Sequence, residues 1–228
     1  MSDPGRLTRQ YTRLLGKIWS LKETAGLAGA IYTQLSDIET ECNGLMTYDR
    51  AVTKVDALLA AAANRGELPP PSYRVVVPNA EQGPMLWRYT FEKPATNWFK
   101  PGFADASWRE GPAGFGTAGT PGAIVRTEWQ TDDIWLRRTF VLPSERLNAP
   151  QLRLHHDEDV EVYVNGILAA SEPANISAYS EFDLTPEAEA SLAPGTNTLA
   201  VHCHQTVGGQ YVDVGILSSF EAKPSVDQ

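Results

Sequence analysis

The sequence predicts a two-part protein, a short α/β segment followed by an all-β sandwich. Apolar residues near the N-terminus recur at three- and four-residue steps, and a proline-rich stretch, ELPPPS at 67–72, then interrupts the chain. Beyond it, short runs of β-branched and aromatic residues alternate with Gly, Pro, Asn and Asp. With 228 residues, 42% hydrophobic and 21% charged, the chain has room for one full domain and a smaller piece.

The first segment has the pattern of a helix, a strand and a second helix. A stripe of apolar residues predicts a helix over 5–23: Leu7, Tyr11, Leu14, Leu15, Ile18 and Leu21. The mostly apolar run at 30–35 suits a parallel strand covered on both faces. Apolar residues at helical spacing over 51–64, followed by Gly66 as a stop, predict the closing helix.

The proline-rich stretch predicts the domain boundary. Three successive prolines fix φ and remove amide donors, so a stiff extended linker is expected there. Seven strands are predicted after it, at intervals typical of a sandwich. They cover 73–77, 86–91, 134–142, 152–156, 160–165, 197–204 and 210–217.

Charge and composition exclude several classes of partner. A formal net charge of −9 and a pI near 4.9 disfavour nucleic acid and anionic membranes, which are bound by clustered Lys and Arg. No apolar run approaches the roughly 20 residues of a membrane span, and MSDPGRLTRQ lacks the apolar stretch of a signal peptide. The chain as written is therefore not expected to be exported. Cys42 and Cys203 do not form a disulfide framework.

Several motifs in the second segment occur in a family-specific order. They are FADASW at 103–108, IWLRRTF at 134–140, VEVYVNG at 160–166, FDLT at 182–185 and PGTNTLAV at 194–201. Together they resemble the galactose-binding-like jelly roll. The same signature occurs in the sugar-binding domains of glycoside hydrolase family 2, which includes β-galactosidases, β-glucuronidases and β-mannosidases.

The first segment resembles the same family independently. Residues 29–50 look like the last strand and following loop of its catalytic (β/α)8 barrel, and NGLMTYDR at 43–50 precedes the predicted closing helix. A complete barrel takes about 250 residues, so most of it would be missing here. The resemblance covers about 7–64 and 85–217. It implies a barrel remnant at 1–66, a linker and lead-in at 67–84, a sandwich at 85–222 and a disordered tail at 223–228.

The resemblance implies that this chain lacks the catalytic residues. In the family, the acid/base glutamate follows the fourth barrel strand and the nucleophilic glutamate follows the seventh, and neither strand is expected here. Asp37, Glu39 and Glu41 are a poor substitute, because a loop alone supplies neither a sugar-shaped cleft nor an apolar wall to raise one pKa. We therefore expect this chain to be the C-terminal portion of a glycosidase that acts on β-linked sugars, and to be inactive by itself.

Four residues are candidate contacts for a sugar. Gln34 and Asp37 would lie at the C-terminal end of the predicted strand, where barrel enzymes bind substrate, although a purely structural role in the loop competes with this. Trp98 and Trp129 have polar neighbours in predicted loops, so these two are the tryptophans expected to be exposed. An exposed indole offers a flat apolar face to a pyranose ring.

The histidines and acidic residues of the second segment do not predict a metal site. Strand alternation places His202 and His204 on one face and Leu199, Val201 and Cys203 on the other, whereas the adjacent pair His155 and His156 faces opposite ways. Paired polar side chains are therefore favoured over zinc. A solvated turn is favoured over calcium for the acidic residues Asp157, Glu158, Asp159 and Asp213. The glycine-rich stretch at 111–122 lacks the Lys-Ser/Thr of a phosphate loop and is expected to be a flexible loop. No cofactor is predicted.

Two alternatives to the glycosidase fragment remain. In the first alternative, the sandwich works by itself as a carbohydrate-binding module. In the second, the first segment docks onto a separate chain that supplies the rest of the barrel, and the two chains form a split enzyme. Residues 1–66 would expose apolar surface in the absence of other barrel elements. We therefore expect this segment to be mobile, adhesive or docked on the sandwich, and residues 85–220 to unfold cooperatively.

Overall fold

The computed structural model describes residues 4–68, 72–145 and 147–220. The chain divides into two units between Ser72 and Tyr73. The predicted tail at 223–228 and the centre of the predicted linker, residues 69–71, lie outside the described residues. Of the helices in the described ranges, none combines the length and apolarity needed to cross a bilayer.

The first unit contains two helices, α1 at Pro4–Ala25 and α2 at Ala57–Arg65. Tyr11 and Val55 are buried between them, and the indole Nε1 of Trp19 donates to the Ala63 carbonyl at 2.8 Å. The Asp56 carboxylate caps α2 by accepting from the amides of Leu58 and Leu59. Gly66 ends α2 in the left-handed conformation with φ 71°, so the predicted stop is confirmed.

Two predictions for this unit are wrong. The helix predicted over 51–64 begins at residue 57, because the preceding residues turn back onto the loop, where the Lys54 amide donates to the Leu45 carbonyl at 2.8 Å. The strand predicted at 30–35 is absent, and the nearest pairing is an isolated bridge between Ser36 and Met46. The described residues 4–68 contain no strand beside which this run might pair, and an extended segment needs such a neighbour for its backbone groups.

The second unit is a β-sandwich of two six-stranded sheets. Its elements are β1 Ser72–Val77, β2 Leu86–Thr90, β3 Arg109–Pro112, β4 Phe115–Gly116, β5 Thr127–Glu128, β6 Asp133–Leu142, β7 Pro150–Asp157, β8 Asp159–Val164, β9 Ile167–Glu172, β10 Ser180–Asp183, α3 Pro186–Ser191, β11 Gly195–His204 and β12 Tyr211–Phe220. One sheet, which we call the β12 sheet, has the strand order β10-β7-β12-β4-β5, with β1 pairing to β12. The other, which we call the β11 sheet, has the order β3-β2-β6-β11-β8-β9. The β4–β5 pair is parallel, and the pairs within the β11 sheet are antiparallel.

Alternation along the strands builds the core. Leu199, Val201 and Cys203 of β11 are fully buried on one face, as predicted, and they join one apolar cluster with the inward side chains of the β12 sheet. All seven predicted strands coincide with observed ones. The predicted sandwich is therefore confirmed in its two-sheet architecture.

The glycine-rich stretch at 111–122 is more ordered than predicted. Residues Phe115–Gly116 form β4 and pair with Tyr211 and Val212 of β12. A Cβ on Gly116 would lie 2.2 Å from the Gln210 carbonyl oxygen, so only glycine permits this close approach of two backbones. The expectation of a wholly flexible loop is therefore wrong, and the glycine is explained by strand pairing.

Candidate functional site

The acidic loop of the first unit is held together by Asp37. Its Oδ1 accepts from Lys54 Nζ at 2.6 Å and from the Gly44 amide at 2.8 Å. The hydrogen bond from Lys54 lowers the pKa of Asp37, with a smaller contribution from the Gly44 amide. The carboxylate therefore stays ionised and fixes the loop, which suits a positioning role and does not suit a proton donor.

Gln34 lies in the same loop and is half-buried. Its side-chain amide donates to Glu41 Oε2 at 3.3 Å and to Asn43 Oδ1 at 3.2 Å, while the Tyr32 hydroxyl donates to the Asn43 carbonyl at 2.8 Å. The loop therefore brings Gln34 close to the residues around Asn43. A contact between a sugar and either Gln34 or Asp37 stays a prediction.

The predicted exposure of Trp98 and Trp129 is wrong. Trp98 is 8% exposed and packs edge-on against Phe99 and Tyr163, and Arg137 donates to its carbonyl. Trp129 is fully buried, and its indole N–H donates to Thr131 Oγ1 at 3.1 Å. The prediction relied on the polar sequence neighbours of each indole, but residues distant in sequence pack over the rings and bury them. In this conformation neither indole presents a face to a ligand.

A group of polar side chains crosses the outer face of the β11 sheet, and we call it the histidine–carboxylate cluster. Its members are Asp133, Glu161, His202 and His204. Asp133 Oδ1 lies 2.8 Å from His202 Nε2 and 2.9 Å from His204 Nδ1, and Glu161 Oε2 lies 3.7 Å from His202 Nδ1. The prediction that the two histidines share a face is therefore confirmed, whereas Asp133 as their common acceptor was not foreseen.

Register explains how the sheet assembles this cluster. His202 on β11 lies opposite Trp135 on β6 and Glu161 on β8, so all three point outwards. The imidazole stacks on the Trp135 ring with centroids 4.8 Å apart and an interplanar angle of 6°. Tyr163 donates to Glu161 Oε2 at 3.1 Å from the same face. Alternating side chains on three paired strands thus form a polar patch over an aromatic base.

The cluster is partly open to solvent. The side chains of His202, Asp133, Glu161 and His204 are 23%, 32%, 45% and 47% exposed. Burial alone would raise the pKa of Asp133, but the hydrogen bonds from His202 and His204 lower it below its usual range. Within the described ranges, no group of three or more His, Cys, Asp or Glu is arranged to hold a metal ion. The cluster thus presents hydrogen-bonding groups that are partly accessible to solvent.

A second polar cluster is buried on the outer side of the β12 sheet. Asp213 is 2% exposed, and its Oδ2 accepts from the Tyr179 hydroxyl at 2.6 Å and from the Ala80 amide at 2.7 Å. The Tyr179 hydroxyl also lies 2.7 Å from that of Tyr211. Burial raises the pKa of Asp213 to about 6, against the opposing effect of these hydrogen bonds. The predicted solvated turn is therefore wrong for Asp213, because its carboxyl group is buried among hydrogen-bond donors.

His155 lies within this buried cluster. It is fully buried, and its ring contacts the rings of Tyr179 and Tyr211 at centroid distances of 5.2 and 4.7 Å. Burial lowers the pKa of His155, although the nearby Ile176 backbone favours the protonated ring. Among the described residues neither ring nitrogen meets hydrogen-bond geometry with a partner. The ring is therefore expected to be neutral at pH 7.

One further pair of carboxyl groups adjoins the end of β7. Burial raises the pKa of Asp157, and the charge of the adjacent Glu158 raises it further. Asp157 is 6% exposed, while Glu158 accepts a hydrogen bond from Thr206. Because Asp157 is almost fully buried, this pair does not present two carboxyl groups to a substrate, as retaining glycoside cleavage requires.

Comparisons with known proteins identify distant structural neighbours. No protein-family model matches the sequence, and no curated protein matches it. Among solved structures, the chain is similar to a glycosyl hydrolase family 2 member from Bacteroides cellulosilyticus DSM 14838, with 14% identity over 57% of this chain and 20% of that one, and a TM-score of 0.41.

Two further solved structures have comparable similarity. A β-glycosidase from Bacteroides vulgatus is 17% identical over 64% of this chain and 20% of its own, with a TM-score of 0.40. A β-glucuronidase from Ruminococcus gnavus is 14% identical over 66% and 30%, with a TM-score of 0.45. The chain thus spans between a fifth and a third of the length of these proteins.

Proposed function

We propose that this chain is part of a family 2 type of glycoside hydrolase that acts on β-linked sugars, and that it cleaves no glycoside unaided. The observation that supports this is the position of the family motifs within the sandwich. IWLRRTF at 134–140 lies in β6, VEVYV at 160–164 forms most of β8, and PGTNTLAV at 194–201 enters β11. These three strands are adjacent in the β11 sheet and carry its core residues.

The carboxyl groups support the second half of the proposal. Glycoside cleavage uses a protonated carboxyl group beside an ionised one, both reaching the substrate. The raised pKa values of Asp157 and Asp213 belong to groups that are 6% and 2% exposed, whereas Asp37 is kept ionised by Lys54. None of these three therefore combines the protonation and access of a glycosidase acid.

Turnover of chromogenic glycosides tests this proposal. The purified chain should release no nitrophenol from p-nitrophenyl β-galactoside or β-glucuronide above the rate without protein. Release that disappears in Asp157→Asn or Asp213→Asn would contradict the proposal, because the chain's own carboxyl groups would then carry the chemistry. Release that survives both substitutions would point to a contaminating glycosidase.

Carbohydrate binding by the sandwich is the second candidate function. The histidine–carboxylate cluster favours it, since His202 over Trp135 offers a flat ring surrounded by oxygen acceptors and the Tyr163 hydroxyl. Sugar sites combine such a flat ring with a few polar groups that take the hydroxyls. In this reading residues 73–220 work without the first unit.

Fluorescence titration with β-galactosides and β-glucuronides tests the second candidate. Trp135 lies directly under His202, so a sugar bound at the cluster should quench tryptophan fluorescence saturably. Glu161→Gln should weaken binding at least several-fold, whereas Glu145→Gln, whose side chain is 73% exposed and lies outside the cluster, should leave it unchanged. Quenching that is equal in both variants, or none in the parent chain, would contradict this candidate.

A further inference from the structure

Helix α1 is basic in an acidic chain. Residues Pro4–Ala25 include five basic side chains and a single acidic one, Glu23, so α1 has a formal charge of +4. Because the whole chain has a charge of −9, the remaining residues carry −13. Positive charge is therefore concentrated on one element of the first unit.

The basic residues of α1 also share one side of the helix. Arg6, Arg9, Arg13 and Lys17 follow one another at three- and four-residue steps, opposite the buried Tyr11. Arg9 and Lys17 are exposed, and Arg6 and Arg13 are half-buried. We call this side of the helix the basic face.

The helix itself does not benefit from this arrangement. Its first turn contains no acidic residue, and its arginines crowd the N-terminal half. The helix macrodipole places partial positive charge at that end, where it favours anions and disfavours cations. This effect falls off within the first turn, so the exposed side chains of Arg9 and Lys17 lie beyond it and are placed to meet a negatively charged surface.

A complementary surface exists at one end of the β11 sheet. We call it the acidic patch, and it consists of Asp132, Asp133, Asp159 and Glu161. Asp133 and Asp159 lie on either side of His204, and Asp132 and Asp159 are exposed. Within the described ranges, the ion-pair partners of this patch are the histidines His202 and His204. The patch thus presents carboxylates whose charge is not balanced by Lys or Arg.

We propose that the chain self-associates, with the basic face of α1 from one copy docked on the acidic patch of a second copy. The two surfaces match in length. Arg9 and Lys17 are separated by about 12 Å along a helix, and β6 and β8 are about 10 Å apart across β11. In a two-fold dimer each copy would supply one basic face and one acidic patch.

Charge favours a second copy over other anionic partners. Nucleic acid and anionic lipid would also attract the basic face, but their extended negative charge would repel the −13 carried by the rest of the chain. The acidic patch is small, and beyond a Debye length of about 8 Å the repulsion between two copies is screened at physiological salt. The attraction between the basic face and the acidic patch therefore outweighs the net repulsion between the two copies.

Sedimentation equilibrium with charge-reversed variants tests the proposal. The parent chain should have about twice its mass of 25.0 kDa in about 0.15 M salt and dissociate in about 0.5 M salt. Arg9→Glu with Lys17→Glu should abolish the dimer, as should Asp132→Lys with Glu161→Lys. An equimolar mixture of these two double variants should restore it, which also shows that both are folded.

A matched control has the same change in net charge at another place. Lys93→Glu with Lys100→Glu alters two exposed residues of the second unit and should leave the dimer intact. A parent chain that is monomeric in about 0.15 M salt, or a dimer that survives reversal of the basic face, would overturn the proposal. Monomeric parent chain that pellets with phosphatidylserine vesicles, and loses this on reversal of the basic face, would overturn it in favour of a lipid surface.

Discussion

The two units differ in where their apolar side chains lie. Among the described residues, nine large apolar side chains of the first unit are exposed, including Ile31 at 94% and Leu58 at 83%, whereas the longer second unit exposes six. The described buried apolar residues divide the other way, with four in the first unit and thirty-one in the second. Apolar burial stabilises by about 25 cal/mol per Å². The sandwich thus has a core of its own, and the first unit has a small one.

This difference shows that an amphipathic pattern predicts an element without predicting its burial. The helical stripe of α1 is well formed, yet Leu14 and Leu21 are 43% and 40% exposed. Leu14 and Ile31 line an apolar groove of about 430 Å³ between α1 and residues 27–33. In the sandwich, by contrast, two sheets supply both sides of the core, so the same kind of residue is buried.

The largest expected effect comes from a cavity in the sandwich core. Leu154 is fully buried in the main apolar cluster, so Leu154→Ala should lower the free energy of unfolding by about 2–5 kcal/mol. Val55→Ala in the first unit removes less buried surface and should cost about 1–2 kcal/mol, confined to that unit. Urea unfolding followed by circular dichroism measures both. Equal losses in the sandwich transition would show that the units are not distinct.

The second effect is a pH dependence confined to the sandwich. The pKa of Asp213 is raised to about 6 when folded, against roughly 3.9 when unfolded. The folded state therefore binds this proton more tightly, and the resulting stability is fully present below pH 4 and is lost as the pH rises through 6. Between pH 4 and pH 7 the parent chain should lose about 1–3 kcal/mol relative to Asp213→Asn.

The pH dependence of stability that arises from His155 has the opposite sign and must be separated from that of Asp213. Burial lowers the pKa of His155, so the unfolded chain binds the proton more tightly and stability falls as the pH drops below about 6.5. Subtracting the profile of Asp213→Asn from that of the parent chain isolates the contribution of Asp213. A flat difference between pH 4 and pH 7 would contradict the assigned burial of its charge.

The smallest expected effects come from two helix caps, one in each unit. Asp56 caps α2, and Thr185 caps α3 by accepting from the Ala188 amide. Asp56→Ala and Thr185→Ala should each cost about 1 kcal/mol. The first should leave the cooperative transition of the sandwich unchanged, and the second should shift it to lower urea. Thermal and urea melts of both variants would expose coupling between the units if Asp56→Ala moved the sandwich midpoint.

Sequence patterns predicted the sandwich well because successive side chains of a strand point to opposite faces of the sheet. Leu199, Val201 and Cys203 are assigned to the core by period alone, and the same period places His202 and His204 outside. The alternation within one strand does not indicate which other strand pairs with it. Asp133 meets both histidines only because β6 pairs with β11 in one register.

Local context also failed where packing is non-local. Trp98 and Trp129 have polar neighbours in sequence, but aromatic rings and the sandwich core cover them. The short strand Phe115–Gly116 has no period to detect, since two residues complete it. The run at 30–35 has strand-like composition, yet a strand requires neighbouring backbone, which no local signal supplies.

Hydrogen exchange of the whole chain tests the difference between the units most directly. It should be measured on the monomer in about 0.5 M salt, where the charge contacts of α1 are screened. We predict that amides of β11 and β12 exchange only on global unfolding, whereas amides over 27–56 exchange orders of magnitude faster. Equally slow exchange over 27–56 would contradict the account, because the first unit would then be as stable as the sandwich.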